Sequence, residues 1–501
     1  MEILGHLALG FSIALTPQNL AFAFAGALIG TMIGVLPGIG PAAGIALLLP
    51  VTFGLPPVSS LIMLAGIYYG AMYGGTLTSV LINTPGESAS VATTFDGYQM
   101  ALQGRAGAAL GIAAIGSFIA GTLGVVALML AAPLLADVAV LFGPPEYFAL
   151  ATLGLLTIAG LGGSSAFKAL LAAVAGLALA TIGADPMTGS KRFTFNILEL
   201  SDGLEFLPVA VGLFGIAEVF ANIARPVRLA PIKASLSGLM PTWQDWIASR
   251  WAILRGGLIG FVIGVLPGAG ATIASFVSYG VERRVSKHPE RFGKGAIEGV
   301  AAPESANNAA AAGAMVPLLA LGIPGSATTA VLLGAFVMYG LRPGPLLLTE
   351  QPEVFWGLIA SMYVGNVMLL FLNLPGAPLF ASVLRLPYSV IAVGILGISI
   401  AGAYSLQNNL FDVWVALAFG VLGYLMKRFD YPAAPLVLAL VLGPLLEMSL
   451  RQSLTISHGS IAIFLTRPGS VVLLTVGLIA IAGPALFSLT RRSKTRKEFA
   501  S

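Results

Sequence analysis

The chain has 501 residues, of which 57% are hydrophobic and only 9% charged, and its mean hydropathy is +0.94. A soluble domain carries about 25% charged residues, so too few are present to cover a water-facing surface, and a soluble globular fold is excluded. The net charge of +4 gathers in a few short loops, which fits membrane topology rather than a nucleic-acid surface, and the lack of cysteine removes disulfides and Cys-ligated metals.

Apolar segments follow one another at roughly 20–56, 58–83, 107–142, 147–183, 204–224, 251–281, 305–345, 354–384, 388–404, 409–426, 431–450 and 469–490. Their backbone must be satisfied inside helices, because the alternating pattern of an outer-membrane barrel is missing. The expectation is an all-α polytopic membrane protein with about 11–14 membrane-embedded elements, its longest segments folding back or cut in two. The opening residues "MEILGHLALGF" lack the basic start of a signal peptide and are expected to stay as structure.

The first long segment contains "IGVLPGIG" at 33–40, and the sixth contains "IGVLPGAG" at 263–270. Pro and Gly cost roughly 3 and 1 kcal/mol in a helix interior, so a repeated break must serve a purpose. Each octapeptide is followed by a second Pro-Gly element, "NTPGESAS" at 83–90 and "GIPGSATT" at 322–329. The chain therefore reads as two related membrane repeats, 1–225 and 251–490, the second with added C-terminal spans. A cytoplasmic linker, 226–250, joins them, and a basic cytoplasmic tail, 491–501, ends the chain. About five spans between the octapeptides would make the repeats inverted.

Three basic stretches set the expected orientation. One runs from Arg225 to Arg255 through Arg228, Lys233 and Arg250; the second is "ERRVSKHPERFGKG"; the third is the tail. Residues 256–281 lie between two of them, so both ends are expected on the cytoplasmic side. Each arm around Pro267 has about 12–14 residues, roughly 20 Å of helix, too short to cross a core of about 30 Å. A re-entrant hairpin with "LPGAG" as its midplane tip resolves the conflict; a single kinked span is the alternative. The same logic applies to residues 21–56.

Non-helical backbone at membrane depth is tolerated only against protein or a water-filled cavity, where it exposes amides to anions and carbonyls to Na⁺. Gly34, Pro37, Gly38, Gly40 and Pro41, with Gly264, Pro267, Gly268 and Gly270, are on this reading substrate- or ion-binding positions; close helix packing is the alternative. Asn83, Thr84, Pro85, Gly86, Glu87 and Ser88 in the first half, and Pro324, Gly325, Ser326, Thr328 and Thr329 in the second, form another candidate group. Their hydroxyls suit Na⁺ and a carboxylate, or bond their own helices. In "APESANNAAAAGA", Asn307 and Asn308 are expected to line the pathway. Glu304 is either an intramembrane functional carboxylate or a helix cap at the interface. Asp96 reads as a loop or cap residue, Glu146 as a helix start, and Lys168 and Glu218 as buried partners or snorkelling ends. There is no P-loop, no H-E-x-x-H and no G-x-S-x-G, so no catalytic residues are assigned.

Together, "GVLPGIGP", "NTPGESASVATTFDGYQMALQGRAGAALG", "GVAAPESANNAAAAGAMVPLLALGIPGSATTAVLLGA" and "GVLPGAGA" resemble the large membrane subunit of the tripartite tricarboxylate transporters over nearly the whole chain. The resemblance implies a bacterial inner-membrane permease working with a small four-span membrane subunit and a periplasmic solute-binding protein. It implies uptake of citrate-like or other small carboxylates driven by a cation gradient, Na⁺ or alternatively H⁺, without a further cofactor, nucleic acid or enzymatic step. A more distant likeness to the ion-transporter superfamily implies paired hairpins and an elevator movement. A carrier for another organic anion, or an anion channel, is the alternative. The second octapeptide has Ala271 where the first has Pro41, so the two tips are expected to be inequivalent.

Overall fold

The computed structural model of the protein describes residues 2–161, 165–224, 238–383 and 388–479. Among them, seven helices are long and apolar enough to cross a bilayer, with six shorter apolar helices beside them. The chain is an all-α polytopic membrane protein, as its composition requires.

Helix α1 (Glu2–Ala14) leads to α2 (Pro17–Val35). Pro17 sits in the first turn, where a missing N–H costs nothing, and Thr16 accepts the Asn19 amide as cap. After a turn at 36–39 come α3 (Gly40–Leu48) and α4 (Pro57–Ile82); a second break at 83–87 precedes α5 (Val91–Leu102). Then follow α6 (Ala106–Ala139), α7 (Pro144–Leu161), α8 (Ala166–Ala180) and a small hairpin of β1 (Gly183–Ala184) and β2 (Lys191–Arg192). Helix α9 (Phe206–Ala210) continues through a π-helical stretch, Val211–Ile216, into α10 (Ala217–Ala224).

The opening pattern then recurs: α11 (Trp243–Val265), a turn at 266–269, α12 (Gly270–Val285), α13 (Glu298–Leu321), a break at 322–326 and α14 (Ala327–Met338). The described chain continues through α15 (Leu347–Glu350), α16 (Pro352–Asn373), α17 (Ala377–Val383), α18 (Tyr388–Gln407), α19 (Leu410–Arg428), α20 (Ala434–Ile456) and α21 (Ile463–Thr466), ending with a helix at Pro468–Ile479.

The centre is built on α4 and α13, buried without interruption from Ser59 to Leu81 and from Gly299 to Ala320. A helix enclosed by protein needs no lipid-facing stripe, so both are rich in glycine, alanine and polar residues, and neither is among the seven hydropathy-defined spans. Gly26, Gly30 and Gly34, one turn apart on α2, face Met63, Ile67 and Ala71 of α4 so closely that a β-carbon on any of them would overlap the facing carbonyl oxygen. Gly256, Gly260 and Gly264 of α11 face Ala302, Ala306 and Ala310 of α13 in the same way. Only glycine lets two backbones approach within Cα–H···O reach, worth about 0.5–1 kcal/mol per contact. The arms α11 and α12 are tied by Arg255, which donates to Glu282 at 2.9 and 2.7 Å. Ser275 and Ser278 of α12 donate to the Pro303 and Ala302 carbonyls of α13.

Three details depart from or refine expectation. Segment 107–142 is not cut: α6 is one helix of 34 residues, about 51 Å, which passes through Pro133 and is longer than a bilayer core of about 30 Å. Segment 147–183, by contrast, is divided into α7 and α8. Helix α11 begins at Trp243, within the region expected as linker, because Thr242 and Asp245 form a capping box. Residues 226–237 of that region and the tail 491–501 lie outside the described residues.

The loop around β1 and β2 is held by Asp185, which accepts the Thr188 and Met187 amides at 2.9 Å each and pairs with Arg451 and Arg192 at 2.9 and 3.1 Å. Those two amides, more than the guanidinium groups, pull its carboxyl down to about 2. A depressed folded-state value stabilises the loop above the unfolded carboxylate value of about 4. That contribution is lost as pH falls through about 2. Amide exchange at Met187 and Thr188, corrected for intrinsic rates, should therefore be flat from neutral pH to about 4 and lose protection below it, whereas Asp185→Ala, which has no acceptor, should lack protection throughout. Protection persisting well below pH 2 would contradict the clamp. In the packed centre, Gly260→Leu should cost about 3 kcal/mol or more by forcing α11 off α13, and most monodisperse protein should be lost on size exclusion. Gly280→Leu, where nothing lies within 4 Å of an added β-carbon, should leave the yield unchanged.

Candidate functional site

Each "LPG" turn ends its helix in the same way. The Leu36 amide donates to Ile33 at 3.0 Å and the Leu266 amide to Ile263 at 3.1 Å, after which Pro37 and Pro267 have no N–H to continue the ladder. Gly38 and Gly268 follow with φ of +91° and +82°, and Gly40 and Gly270 both have +62°, backbone open to glycine and costly for other residues. The Gly38 amide donates to the Gly86 carbonyl at 3.1 Å, and the Gly268 amide to the Gly325 carbonyl at 3.0 Å. These two amides are thus not free for an anion; each locks a tip to the second break of its own half. A β-carbon on Gly86 would overlap the Gly34 carbonyl oxygen, and one on Gly325 would lie 3.1 Å from that of Gly264, which explains the glycine in both Pro-Gly elements.

The second breaks are also alike. Asn83 and Gly322 end α4 and α13 in the left-handed conformation, with φ of +55° and +70°. The next amides, Thr84 and Ile323, reach back to the Thr78 and Pro317 carbonyls. Pro85 and Pro324 follow. The helices that restart are capped by Glu87 and by Ser326, each in a capping box, with Ser90 and Thr329 respectively.

Between the tips lies a cavity of about 840 Å³. Its wall takes Gly38, Gly40 and Pro41 from the first tip and Gly268, Gly270 and Ala271 from the second. The breaks add Pro85, Gly86, Glu87, Ser88, Ser326 and Thr328. The Ser88 and Thr272 hydroxyls meet at 2.8 Å and join the two halves on this wall. First-turn amides of α12 and α14 have no helical acceptor, so backbone donors remain on the wall even though the glycine amides of the turns are taken.

Several wall residues were not legible as such. Tyr68 and Met72 come from α4, and Leu213 and Phe214 from the π-helical stretch. Lys427 at the end of α19 donates to Glu218 at 2.6 and 2.8 Å, and Asn222 donates to the same carboxylate at 2.9 Å. Glu218 is therefore a buried partner, the first of its two readings, and both it and Lys427 line the cavity. From sequence, Lys427 looks like a lysine ending a span. Lys168 is held outside the site, donating to the Phe429 carbonyl at 2.6 Å and standing 5.2 Å above the Tyr431 ring.

The remaining candidates lie off the wall. Gly34 and Gly264 serve helix packing, and Pro37, Pro267, Pro324, Gly325 and Thr329 shape the turns. Asn83 faces a separate recess with Tyr279 and Arg283. Asn307 and Asn308, expected along the pathway, are instead tied into a buried packet. Asn307 donates to Glu304 at 3.3 Å, while Asn308 donates to Asn307 at 2.6 Å and to Ser117 at 2.8 Å. Glu304 is 0% exposed, accepts from Thr76 of α4 at 2.6 Å and from Thr93 of α5, and bridges the two halves. The interfacial-cap reading of Glu304 is thus corrected: α13 starts at Glu298, nearly two turns earlier. The loop before α13 is capped by Asp96, whose Oδ1 accepts the Gly293, Gly295 and Ala296 amides at 2.9, 2.8 and 2.8 Å. Glu146 lies in the first turn of α7, accepts the Gly143 amide at 3.0 Å and pairs with Arg467.

A helical membrane protein with a cavity between two broken helices has an architecture that membrane transporters use. The sequence model of the tripartite tricarboxylate transporter TctA family matches residues 20–438, and the chain belongs to that family. It is accordingly a membrane transporter component, one part of a multi-subunit system. Among its relatives is an uncharacterized 52.8 kDa protein of Agrobacterium vitis from the TAR-I ttuC' 3' region, 49% identical over 502 residues, covering 100% of this chain and 99% of the relative. A second Agrobacterium vitis protein, from the TAR-II ttuC' 3' region, is 48% identical over 240 residues, 48% of this chain and 98% of that protein. No solved structure matches.

Replacing Glu304 with leucine should strand the Thr76 and Thr93 hydroxyls and the Asn307 amide, costing on the order of 3 kcal/mol, while Glu304→Gln keeps an acceptor and costs less. Thermal unfolding in detergent should rank wild type above Glu304→Gln and Glu304→Leu lowest; equal melting of the two variants would show that the packet does not stabilise the fold.

Proposed function

We propose that the chain is the large permease subunit of a binding-protein-dependent secondary transporter in the bacterial inner membrane. It imports tricarboxylates such as citrate, or related small carboxylates, driven by a cation gradient, with Na⁺ favoured and H⁺ the alternative. Its partners are the small four-span membrane subunit and the periplasmic solute-binding protein. The observation that carries this reading is the cavity itself: two tips of matching backbone geometry, each locked to its own Pro-Gly break, face each other across a space of about 840 Å³ whose mostly apolar wall carries a few convergent polar groups. Small-molecule sites fall at roughly 300–1,000 Å³. Helix-start amides and the Ser88, Thr272, Ser326 and Thr328 hydroxyls offer donors to carboxylates there.

On this reading the halves are inverted repeats and the tips belong to re-entrant hairpins. Helices α10 and α19 run side by side in one direction, since Gly212, Ile216 and Ala217 meet Ala416, Gly420 and Gly423 in turn. Helix α19 ends in Lys427 and Arg428, and α12 ends in Arg283 and Arg284, so these ends are cytoplasmic by the charge rule. The cavity reaches Lys427, Tyr431 and Pro435, which on that orientation lie toward the cytoplasm and support an inward-facing reading. An elevator movement would carry the two tips together with α4 and α13, to which they are locked, as one body.

The test is labelled citrate uptake into liposomes holding the chain and its small subunit, with and without an inward Na⁺ gradient and with or without the binding protein. Uptake should need both. Uptake of another carboxylate on the same terms would change only the substrate, whereas uptake indifferent to gradient and binding protein would indicate a channel and end the reading. Leucine at Gly38 or Gly268 forces a left-handed non-glycine residue costing about 1–2 kcal/mol. At Gly38 its β-carbon would stand 2.7 Å from Glu218. Both variants should insert normally and lose transport; normal uptake by both would count against the tips as the site.

A further inference from the structure

The two breaks share their backbone course but differ at the residue that restarts the helix, and we propose that this residue in the first half, Glu87, carries the monovalent cation that couples transport. The proposal rests on the carrier reading above. In the second half the position belongs to Ser326, whose hydroxyl accepts the Thr329 amide at 3.2 Å. Capping needs one oxygen, and Glu87 supplies it through Oε2, which accepts the Ala89 amide at 3.0 Å. The other oxygen, Oε1, is buried without a hydrogen-bond partner among the described residues, although Glu87 lines the cavity. A serine would make the same cap without burying a second carboxylate oxygen, as the other half demonstrates, so capping does not account for the glutamate.

A buried carboxylate oxygen with no partner is costly unless a cation meets it. Among the described residues no Lys, Arg or His forms an ion pair with Glu87. The charged and titratable groups around it do not supply one. Tyr68 on α4 shares the cavity wall, Glu304 on α13 has the same sign and is held by two threonines, and Lys427 on α19 is engaged by Glu218 on α10. Neutralisation therefore falls to a small cation from solution, either a proton on Oε1 or Na⁺ held with neutral oxygens, for which the Ser88 and Thr272 hydroxyls stand on the same wall. Glu87 also follows directly on Gly86, whose carbonyl accepts the Gly38 amide, so it is the neighbour in sequence of the lock between break and tip. A half carrying a neutralised Glu87 can move through low-dielectric surroundings; one carrying a bare carboxylate cannot, and that difference ties movement to the cation.

Glu87→Gln keeps a capping oxygen and the side-chain volume but takes no cation. In liposomes with the small subunit and binding protein, its gradient-driven accumulation of carboxylate should fall at least tenfold, and any exchange that remains should no longer respond to Na⁺ or pH. Glu87→Ser, which copies the second half, should behave likewise. Varying Na⁺ at fixed pH, and pH at fixed Na⁺, identifies the cation in the wild type. A readout free of transport is the melting temperature in detergent, which should rise with that cation in the wild type and not in Glu87→Gln. Wild-type accumulation by Glu87→Gln, or an unchanged cation response of its melting, overturns the proposal, as does a wild type whose melting responds to neither cation. Failure of the wild type itself to accumulate any carboxylate with its binding protein would remove the carrier reading and this proposal together.

Discussion

The rest of the structure depends on the approach of two glycine faces to two carbonyl faces. Helix α2 rides on α4, and α11 on α13, with no side chain between backbones at three successive turns of each pair. A bilayer gives no hydrophobic drive to bring helices together, so contact distance itself supplies the attraction. That distance also dictates where the helices end. The strip stops at Gly34 and Gly264, and the carbonyls left there cover the glycines of the second breaks. The tips are therefore positioned by packing that starts three turns away.

From this arrangement comes the chemistry of the cavity. Backbone that leaves the helix at membrane depth must find partners, and each half finds the first within itself, between the turn glycine and the break carbonyl. What remains for a ligand is the helix starts beyond the turns and the short hydroxyls beside them. The halves share this geometry but not their side chains: Pro41 faces Ala271, and Glu87 answers Ser326. A duplicated frame with unlike residues suits a solute and an ion of opposite charge.

Much of this is legible in the residues alone. Composition demands a membrane protein, and the paired Pro-Gly elements mark four places where helices break, each found at its expected residues. What escapes such reading is anything decided by burial between distant segments. Glu304 follows a basic loop in sequence and so resembles an interfacial cap, but the loop folds under Asp96 and leaves Glu304 inside the protein. Asn307 and Asn308 have the polarity of a pathway lining, yet α13 is enclosed on every side and the polarity serves its neighbours. Lys427 is not singled out by sequence because nothing local reveals that Glu218, on another helix, pairs with it. Hydropathy undervalues α4 and α13 for the same reason: a helix that never meets lipid has no need to be greasy.

The Glu304 packet has a consequence for how the chain is made. Its threonine donors, Thr76 and Thr93, leave the ribosome long before the carboxylate they hold, and until then they can turn back onto their own helices. Helix α13 brings a charge, two asparagines and two internal prolines, a segment that membrane insertion would resist at about 3 kcal/mol for the charge alone. In the folded protein that charge meets donors supplied by α4 and α5 of the first half. The centre of the protein can therefore close only when both halves are present, because the carboxylate and its threonine donors come from different halves.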